Sequence, residues 1–358
     1  MGGCEYMKSL AIKYRPHQWS DVVEQSSIKI ILEEQIKTKT VKNGYLFCGG
    51  AGTGKTTCAR IFANEINNGQ GVPIEMDAAS NNSVDDVRRI IEQAQTKSLD
   101  SEYKIFIIDE AHSLSNSAWQ AMLKTLEEPP AKSIFIFATT DPQKIPKTIL
   151  SRVQRYDFQR ISQKGIVDRL EYILKAENIW QSSGDPQDDG DMAIDILASL
   201  EYLAKIADGG MRDAITLMDK CLSYSTELTV ENVVKALGVA NYDVMFSLLD
   251  SMIESKTQLC LEQVDSIYKS GIEMKQFIKT FTEFVLDVCK YGLTKDFGLI
   301  KIPNTYSSTL DSYGKYEYSQ SKSLLSVLIE LNAKIKWETN PRYLVDATFF
   351  TFCEVNNE

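Results

Sequence analysis

Gly49-Gly50-Ala51-Gly52-Thr53-Gly54-Lys55-Thr56-Thr57 fits G-x-x-x-x-G-K-[ST] through Gly49, Gly54, Lys55 and Thr56. A strand-like run, Tyr45-Leu46-Phe47-Cys48, precedes it and a helix-like run from Thr57 to Asn68 follows, which is the setting such a loop needs. Glycines let backbone N–H groups close around phosphate oxygens, and the next helix's N-terminus adds partial positive charge. Gly50, Ala51, Gly52, Thr53 and Thr57 fall in the same cradle, and Lys55 is expected to reach the outer phosphates.

Further along, an apolar run ends in two acids, Ile105-Phe106-Ile107-Ile108-Asp109-Glu110. At a strand's end, Asp109 can hold Mg²⁺ opposite the Thr56 hydroxyl, because that ion takes near-octahedral oxygen ligands. Glu110 is then free to polarise a water. A glycine-rich turn by itself is common, and Asp-Glu can simply open a solvated helix. The two together, on strands in this order, describe a nucleotide-driven motor.

The chain has 358 residues, too many for one ordinary core and suited to two or three domains. Its composition is that of a soluble globular protein, with no run approaching eighteen apolar residues and no charged-then-apolar leader. A cytoplasmic protein without a membrane partner is expected. Met1-Gly2-Gly3-Cys4 hints at acylation, but Tyr6 stands where that pattern wants Ser or Thr. The seven cysteines (Cys4, Cys48, Cys58, Cys221, Cys260, Cys289, Cys353) form no C-x-x-C pair, a reduced, non-metal pattern. A formal net charge of −10 argues against a protein that coats nucleic acid with its whole surface, so any DNA contact must be local.

From about Ser9 to Arg160, apolar runs at Tyr45 to Cys48, Ile74 to Asp77, Ile105 to Ile108, Ser133 to Ala138 and Gln154 to Phe158 alternate with helical patterns. That alternation predicts a parallel sheet covered on both faces, with ligands beyond the strands' carboxyl ends. Ser83-Val84-Asp85-Asp86 opens a helix with a capping side chain and acids in its first turn, and another helix runs from about Ser117 to Glu127 until Pro129-Pro130 stops it. After Arg160 the pattern is helical, at Gly165 to Asn178 and Met192 to Ala207, around a turn-rich acidic loop from Gln181 to Asp191. From about Asn241 the long periodic segments Val244 to Ile253, Leu259 to Tyr268, Met274 to Tyr291, Ser321 to Lys336 and Arg342 to Cys353 predict an all-helical unit.

Several further stretches are specific: Lys13-Tyr14-Arg15-Pro16, Asp21-Val22-Val23-Glu24-Gln25, Asp77-Ala78-Ala79-Ser80, Leu123-Lys124-Thr125-Leu126-Glu127-Glu128-Pro129-Pro130, Ala138-Thr139-Thr140-Asp141-Pro142-Gln143-Lys144, Ile149-Leu150-Ser151-Arg152 and Gly210-Met211-Arg212-Asp213-Ala214. With the phosphate loop, they resemble the gamma/tau subunits of bacterial DNA polymerase III, the ATPases of the sliding-clamp loader within the AAA+ family. The likeness covers nearly all of the first 240 residues and weakens afterwards. It implies an α/β parallel-sheet P-loop (AAA+) domain over 1–160, a small helical lid over 161–240 and an all-α collar, holding subunits together, over 241–358.

The resemblance also implies ATP and Mg²⁺ as cofactors, and other clamp-loader subunits, a sliding clamp and primer-template DNA as partners. Arg15-Pro16 and Val23 match the adenine-flanking segment, Thr140 the sensor on the γ-phosphate side, and Arg212 the lid arginine that reads the same nucleotide. Ser151-Arg152 resembles the arginine finger that serves the neighbouring subunit's ATP, where a guanidinium stabilises charge on the transferring phosphoryl group. Plainer roles stay open: Arg152 as a surface ion-pair partner, Arg212 as a helix support, Thr140 as a turn residue and Arg15 packed on Trp19. DNA would be gripped by helix N-termini such as Ser80 to Ser83 and Ser115 to Ser117, with Arg88 and Arg89 nearby, unless these are ordinary caps and solvated faces.

This sequence departs from the family pattern in three places. Asn67-Asn68-Gly69-Gln70-Gly71 runs straight to Val72-Pro73-Ile74 where the family carries a four-cysteine zinc module, so no zinc is expected there. Ser151-Arg152-Val153 replaces Ser-Arg-Cys, and the acidic loop reads as an insertion. The chain stops at Glu358 without the extension by which tau forms bind polymerase and helicase, which implies a gamma-like ATPase. Three rivals remain. Asp109-Glu110-Ala111-His112 spells the DEAH box of helicases, but the second motor domain's arginine-rich motif is missing and His112 reads as the start of a loop. A non-hydrolysing structural subunit akin to delta prime would not need Lys55, Thr56, Asp109 and Glu110 all intact, and another AAA+ DNA-remodelling ATPase is the third.

Overall fold

Each apolar run between Gly44 and Asp157 extends and pairs with its neighbours in parallel. The strands β1 (Gly44–Cys48), β2 (Ile74–Asp77), β3 (Lys104–Asp109), β4 (Ser133–Thr139) and β5 (Gln154–Asp157) form one sheet in the order β2-β3-β4-β1-β5. Register aligns Leu46 with Phe137, Phe106 with Phe135 and Asp77 with Asp109. The computed structural model describes residues 9–180, 190–237, 242–313 and 318–355. The leader at Met1 to Cys4 and residues 181–189 of the acidic loop lie outside them.

Period-two alternation between two covered faces explains why the inner strands β1, β3 and β4 read as continuous hydrophobic runs. Leu46, Phe106, Ile108, Phe135 and Phe137 pack on one side of the sheet against α4 (Val84–Ala94) and α5 (Asn116–Glu127), through Val87, Ile90, Ala118, Trp119 and Met122. Tyr45, Phe47, Ile105, Ile107, Ile134 and Ile136 pack on the other side against α2 (Ser26–Lys37) and α3 (Lys55–Ile66), through Leu32, Cys58, Phe62 and Ala63. The stacked rings of Phe106 and Phe135, 5.2 Å between centroids, join the two central strands. Ser83 caps α4 with a full capping box to Asp86, and Ser115 caps α5. From α3 the chain turns through Asn68 and Gly69 directly to β2.

Two compact units divide the chain. One comprises the residues up to Asn178 together with Ala207–Asp219, and the other Ile179–Ile206 with the residues from Lys220 onward. The first adds α1 (Leu10–Lys13), α6 (Lys147–Leu150), α7 (Gln163–Ala176) and the start of α9 (Met211–Tyr224) to the sheet. The second is helical throughout its described residues and includes α8 (Gly190–Ile206), α10 (Val230–Leu237), α11 (Tyr242–Ile253), α12 (Thr257–Lys269), α13 (Met274–Thr294), α14 (Ser307–Ser312), α15 (Tyr318–Ile335) and α16 (Pro341–Val355).

In the second unit the long α13 carries Phe277, Ile278, Phe281, Phe284 and Val285 to the interior, the i, i+3, i+4 pattern of one helix face. Phe281 meets Phe349 of α16 at 6.2 Å. Asp287, on the same buried stripe, accepts the Lys301 backbone N–H at 2.6 Å, and burial raises its carboxyl above the ordinary Asp range. Among the described residues no helix is long and apolar enough to cross a membrane.

Candidate nucleotide site

The carboxyl ends of β1 and β3 bring Gly49 to Thr56 beside Asp109 and Glu110. Gly49 has φ +153°, and a Cβ there would come within 2.7 Å of the Phe158 carbonyl oxygen, so only glycine lets the chain leave β1 at this angle. At Gly52, φ is +69° and a Cβ would press on Gly210 at 3.0 Å. The loop is therefore clamped between β5 and the start of α9. Gly52 also accepts the Met211 backbone N–H at 3.0 Å, which gives that otherwise orphaned helix-end donor its partner.

Lys55 is buried, and its ammonium donates to the carbonyls of Gly49 at 2.9 Å and Gly50 at 2.7 Å. Burial pushes its pKa down, while the Glu110 and Asp109 carboxylates pull it back up. The Thr56 hydroxyl donates to Asp109 Oδ2 at 2.7 Å, and the other Asp109 oxygen accepts the Glu110 backbone N–H at 3.0 Å. A hydroxyl and a carboxylate held this close are hard oxygen donors of the kind Mg²⁺ takes, one or two from protein with the rest from phosphate and water. The donor set fits that ion, and the glycine cradle fits phosphate.

A cavity of about 270 Å³ opens over the loop. The expected Arg15, Pro16, Val23, Ala51, Gly52, Thr53, Gly54, Lys55, Thr56, Thr57, Asp109, Glu110 and Arg212 all line it. Gly49 and Gly50 lie beneath, as acceptors for Lys55. Thr140 is not part of the wall; its hydroxyl donates to Glu110 Oε2 at 3.1 Å. The Arg212 guanidinium makes no hydrogen bond or ion pair with the described residues, whereas the Trp19 indole proposed as a shelf for Arg15 donates to Glu65 at 2.6 Å.

Tyr14 and Met211, neighbours of Arg15 and Arg212 in the quoted motifs, line the cavity too, as do Ile161, Arg169 and Ile215, which lie outside them. Ile215 stands three residues after Arg212 and four after Met211, so helical spacing alone aims all three at one side. Arg169 of α7 donates to the Tyr14 carbonyl at 3.0 Å and lies over the Tyr172 ring, fastening α7 to the segment beside Arg15. The sequence places His112 at the start of a loop. It does lie in a 3₁₀ turn, Ala111–Ser113, but its Nδ1 is 3.2 Å from Glu110 Oε2 and 3.1 Å from Thr139 Oγ1.

Arg152 lies elsewhere. It follows α6 and precedes β5, and its carbonyl oxygen would sit 3.4 Å from a Cβ on Gly44, the first residue of β1. That is the amino end of the sheet, whereas Lys55 and Asp109 are at the carboxyl end. At about 3.3 Å per residue, β1 alone separates the two by roughly 13 Å. Arg152 donates through Nε to Glu127 Oε1 at 3.0 Å and through Nη1 to the Thr148 carbonyl at 2.6 Å, and its side chain is 31% exposed.

At the helix starts considered for DNA, Ser115 N–H donates to the Asn82 carbonyl at 3.2 Å, bringing the first turns of α4 and α5 together. Arg88 pairs with Asp85 and Arg89 with Asp86, so both arginines face acids of their own helix.

A parallel sheet of this order, a phosphate loop after β1 and paired acids after β3 define a nucleotide-binding protein of the P-loop AAA+ class. Among solved structures, the Thermotoga maritima RuvB Holliday junction branch migration motor superposes with a TM-score of 0.50 at 18% identity, covering 73% of this chain and 86% of that one. Residues 70–162 match the family model "DNA polymerase III, delta subunit", and residues 228–312 match "DNA polymerase III subunits gamma and tau domain III". DNA polymerase III subunit tau of Bacillus subtilis is 33% identical over 96% of this chain, and that of Escherichia coli 32% identical over 75%. The subunit gamma of Buchnera aphidicola from Acyrthosiphon pisum is 31% identical, covering 78% of this chain and 80% of its own length. The chain belongs to the DNA polymerase III gamma/tau subunit family. It spans 63% of the Bacillus protein and 43% of the Escherichia one.

Proposed function

We propose that the protein is an ATP-hydrolysing subunit of a clamp-loader assembly that places a sliding clamp on primer-template DNA. The observation that carries this reading is the joint placement of Lys55, Thr56, Asp109 and Glu110 around one cavity. A non-hydrolysing subunit has no use for all four. Gly49 to Thr57 would cradle the phosphates with Lys55 on the outer ones, Thr56 and Asp109 would hold Mg²⁺, and Arg15, Pro16 and Val23 would flank the base. The ion supplies charge neutralisation on the transferring phosphoryl group. Glu110 polarises the attacking water, Thr140 fixes the Glu110 carboxylate, and Arg212 offers a cation from the lid.

Arg152 completes the ATP site of an adjacent copy or partner subunit. Its position at the amino end of the sheet supports that role, because it lies far from the nucleotide of its own chain. On this reading 1–160 acts as the motor domain, 161–240 as a lid and 241–358 as the collar, in a protein of the cytoplasm. DNA contact falls to the start of α5 more than to that of α4, since the first turn of α5 has no acid while α4 carries Asp85 and Asp86 there.

The test is to combine the full chain with clamp and delta-type subunits and measure ATP turnover with and without primed DNA. Turnover stimulated by DNA and abolished by Glu110→Gln, with ATP binding retained, supports the reading. ATP binding without any turnover would favour the structural subunit.

A further inference from the structure

We propose that Arg169 is a positioning residue for the nucleotide's base: by holding the Tyr14 carbonyl it sets the Arg15-Pro16 wall of the cavity, so that binding of the base depends on it while binding of the phosphates does not. The inference rests on reading Arg15, Pro16 and Val23 as the residues that flank the base. The segment that carries Arg15 and Pro16 cannot hold itself in place. Its helix α1 is four residues long, has no capping side chain and buries none of its residues, and a single turn of helix does not persist alone in water. Its fixed points lie on other helices of the same compact unit. The Leu10 backbone N–H donates to Asp219 of α9 at 3.1 Å, and further contacts fasten the segment along α7.

Arg169 Nη2 donates to the Tyr14 carbonyl at 3.0 Å, and the guanidinium lies over the Tyr172 ring, 4.9 Å from its centroid. The Tyr14 ring meets Tyr172 edge-on at 6.3 Å, and its hydroxyl donates to Glu177 Oε1, which also pairs with Lys13 Nζ at 2.6 Å. Glu177 is the C-cap of α7. A carboxylate is disfavoured at a helix's carboxyl end, so Glu177 serves the segment rather than its own helix, and the bonds from Lys13 and Tyr14 hold its carboxyl below the ordinary Glu range. The Tyr14 carbonyl belongs to the planar peptide that leads into Arg15. Pro16 fixes its own φ and keeps Arg15 extended, so anchoring that peptide also sets where Arg15 and Pro16 face. Among the described residues the Arg169 guanidinium bonds nothing in Gly49 to Thr57. A planar fork committed to a main-chain carbonyl and an aromatic face is a wall support rather than a phosphate ligand.

The test compares ATP with inorganic tripolyphosphate, which has the phosphates and no base, by calorimetric titration of the full chain in the presence of Mg²⁺. The wild type is expected to bind ATP more tightly. Arg169→Ala is expected to weaken ATP about tenfold, the usual effect of losing one charge-assisted hydrogen bond, and to leave tripolyphosphate unchanged. Glu177 lies outside the cavity wall, so Glu177→Ala removes no contact with the ligand and is expected to give the same selective loss in smaller measure. Arg169→Lys keeps a donor for the Tyr14 carbonyl and is expected to recover part of the affinity. Retained tripolyphosphate binding also shows that each variant is folded. Equal weakening of both ligands in Arg169→Ala makes the residue a phosphate contact and overturns the proposal, as does unchanged ATP affinity. A selective loss in Arg169→Ala with none in Glu177→Ala makes Arg169 a direct contact of the base and refutes the positioning role. A wild type that binds ATP no better than tripolyphosphate instead breaks the reading of Arg15, Pro16 and Val23, and one that binds neither breaks the nucleotide site itself.

Discussion

The two ends of the sheet handle positive charge in opposite ways. At the carboxyl end Lys55 is buried, wrapped in loop carbonyls and drawn upon by two carboxylates, so the loop and its cation are built as one object. At the amino end Arg152 is partly exposed and tied to Glu127 by an ion pair of the kind water weakens. A cation that serves its own chain can be enclosed. On the proposed function Arg152 must leave for another molecule's phosphate, which means giving up Glu127 and the Thr148 carbonyl, both at a partly exposed site where water can replace them.

The sharpest way to break this contrast is Arg152→Ala. Nucleotide affinity of the isolated chain should not change, while turnover in the assembled loader falls about 10³-fold, the usual worth of an arginine acting in trans. Normal DNA-stimulated turnover would contradict the division between the two ends. Lys55→Ala should do the reverse, weakening ATP binding in the isolated chain by roughly a hundredfold (about 2.7 kcal/mol), as read by titration with a fluorescent analogue. Glu127→Gln sharpens the same point. It should shift unfolding free energy by no more than about 0.5 kcal/mol, and a larger loss in denaturant titration would mean that Arg152 is a structural rather than a releasable group.

Smaller still is the effect expected at Asp287 in the helical unit. Its raised pKa means the folded chain holds the proton more tightly than the unfolded one, so stability present below the ordinary Asp range is lost as pH climbs through the raised value. Asp287→Asn keeps an oxygen for the Lys301 N–H and removes that loss. A gain in Tm of about 1 °C at neutral pH, disappearing in acid, is expected by scanning fluorimetry, and a lower Tm at neutral pH would count against it.

The inner strands β1, β3 and β4 were legible because each is buried on both faces, which makes continuous runs such as Ile105 to Ile108 stand out, and the loop was legible because its glycines are dictated by geometry. Thr56 and Asp109 were legible as partners, since strand order fixes where their ends meet. Ile161 and Arg169 were not: they reach the site through the packing of the chain after β5 and of α7 onto the loop, and no local pattern records that, whereas Ile215 follows Arg212 by one helical turn. The hydrogen bond between His112 Nδ1 and Thr139 Oγ1 depends on the backbone reversal at Glu110, a conformation glutamate rarely adopts and sequence does not announce. Arg88 and Arg89 were visible as charge, but their neutralisation by Asp85 and Asp86 followed only from rotamers.

The bond from the Met211 N–H to the Gly52 carbonyl joins main chain to main chain. Exchanging the Met211 side chain leaves both atoms of the bond in place, so alanine at 211 would pass over this strut between the phosphate cradle and α9. Proline at 211 would find it, because the ring suits a helix's first residue yet has no hydrogen to give. With the cradle cut loose in that way, ATP affinity should drop several-fold while the helix content seen by circular dichroism stays the same.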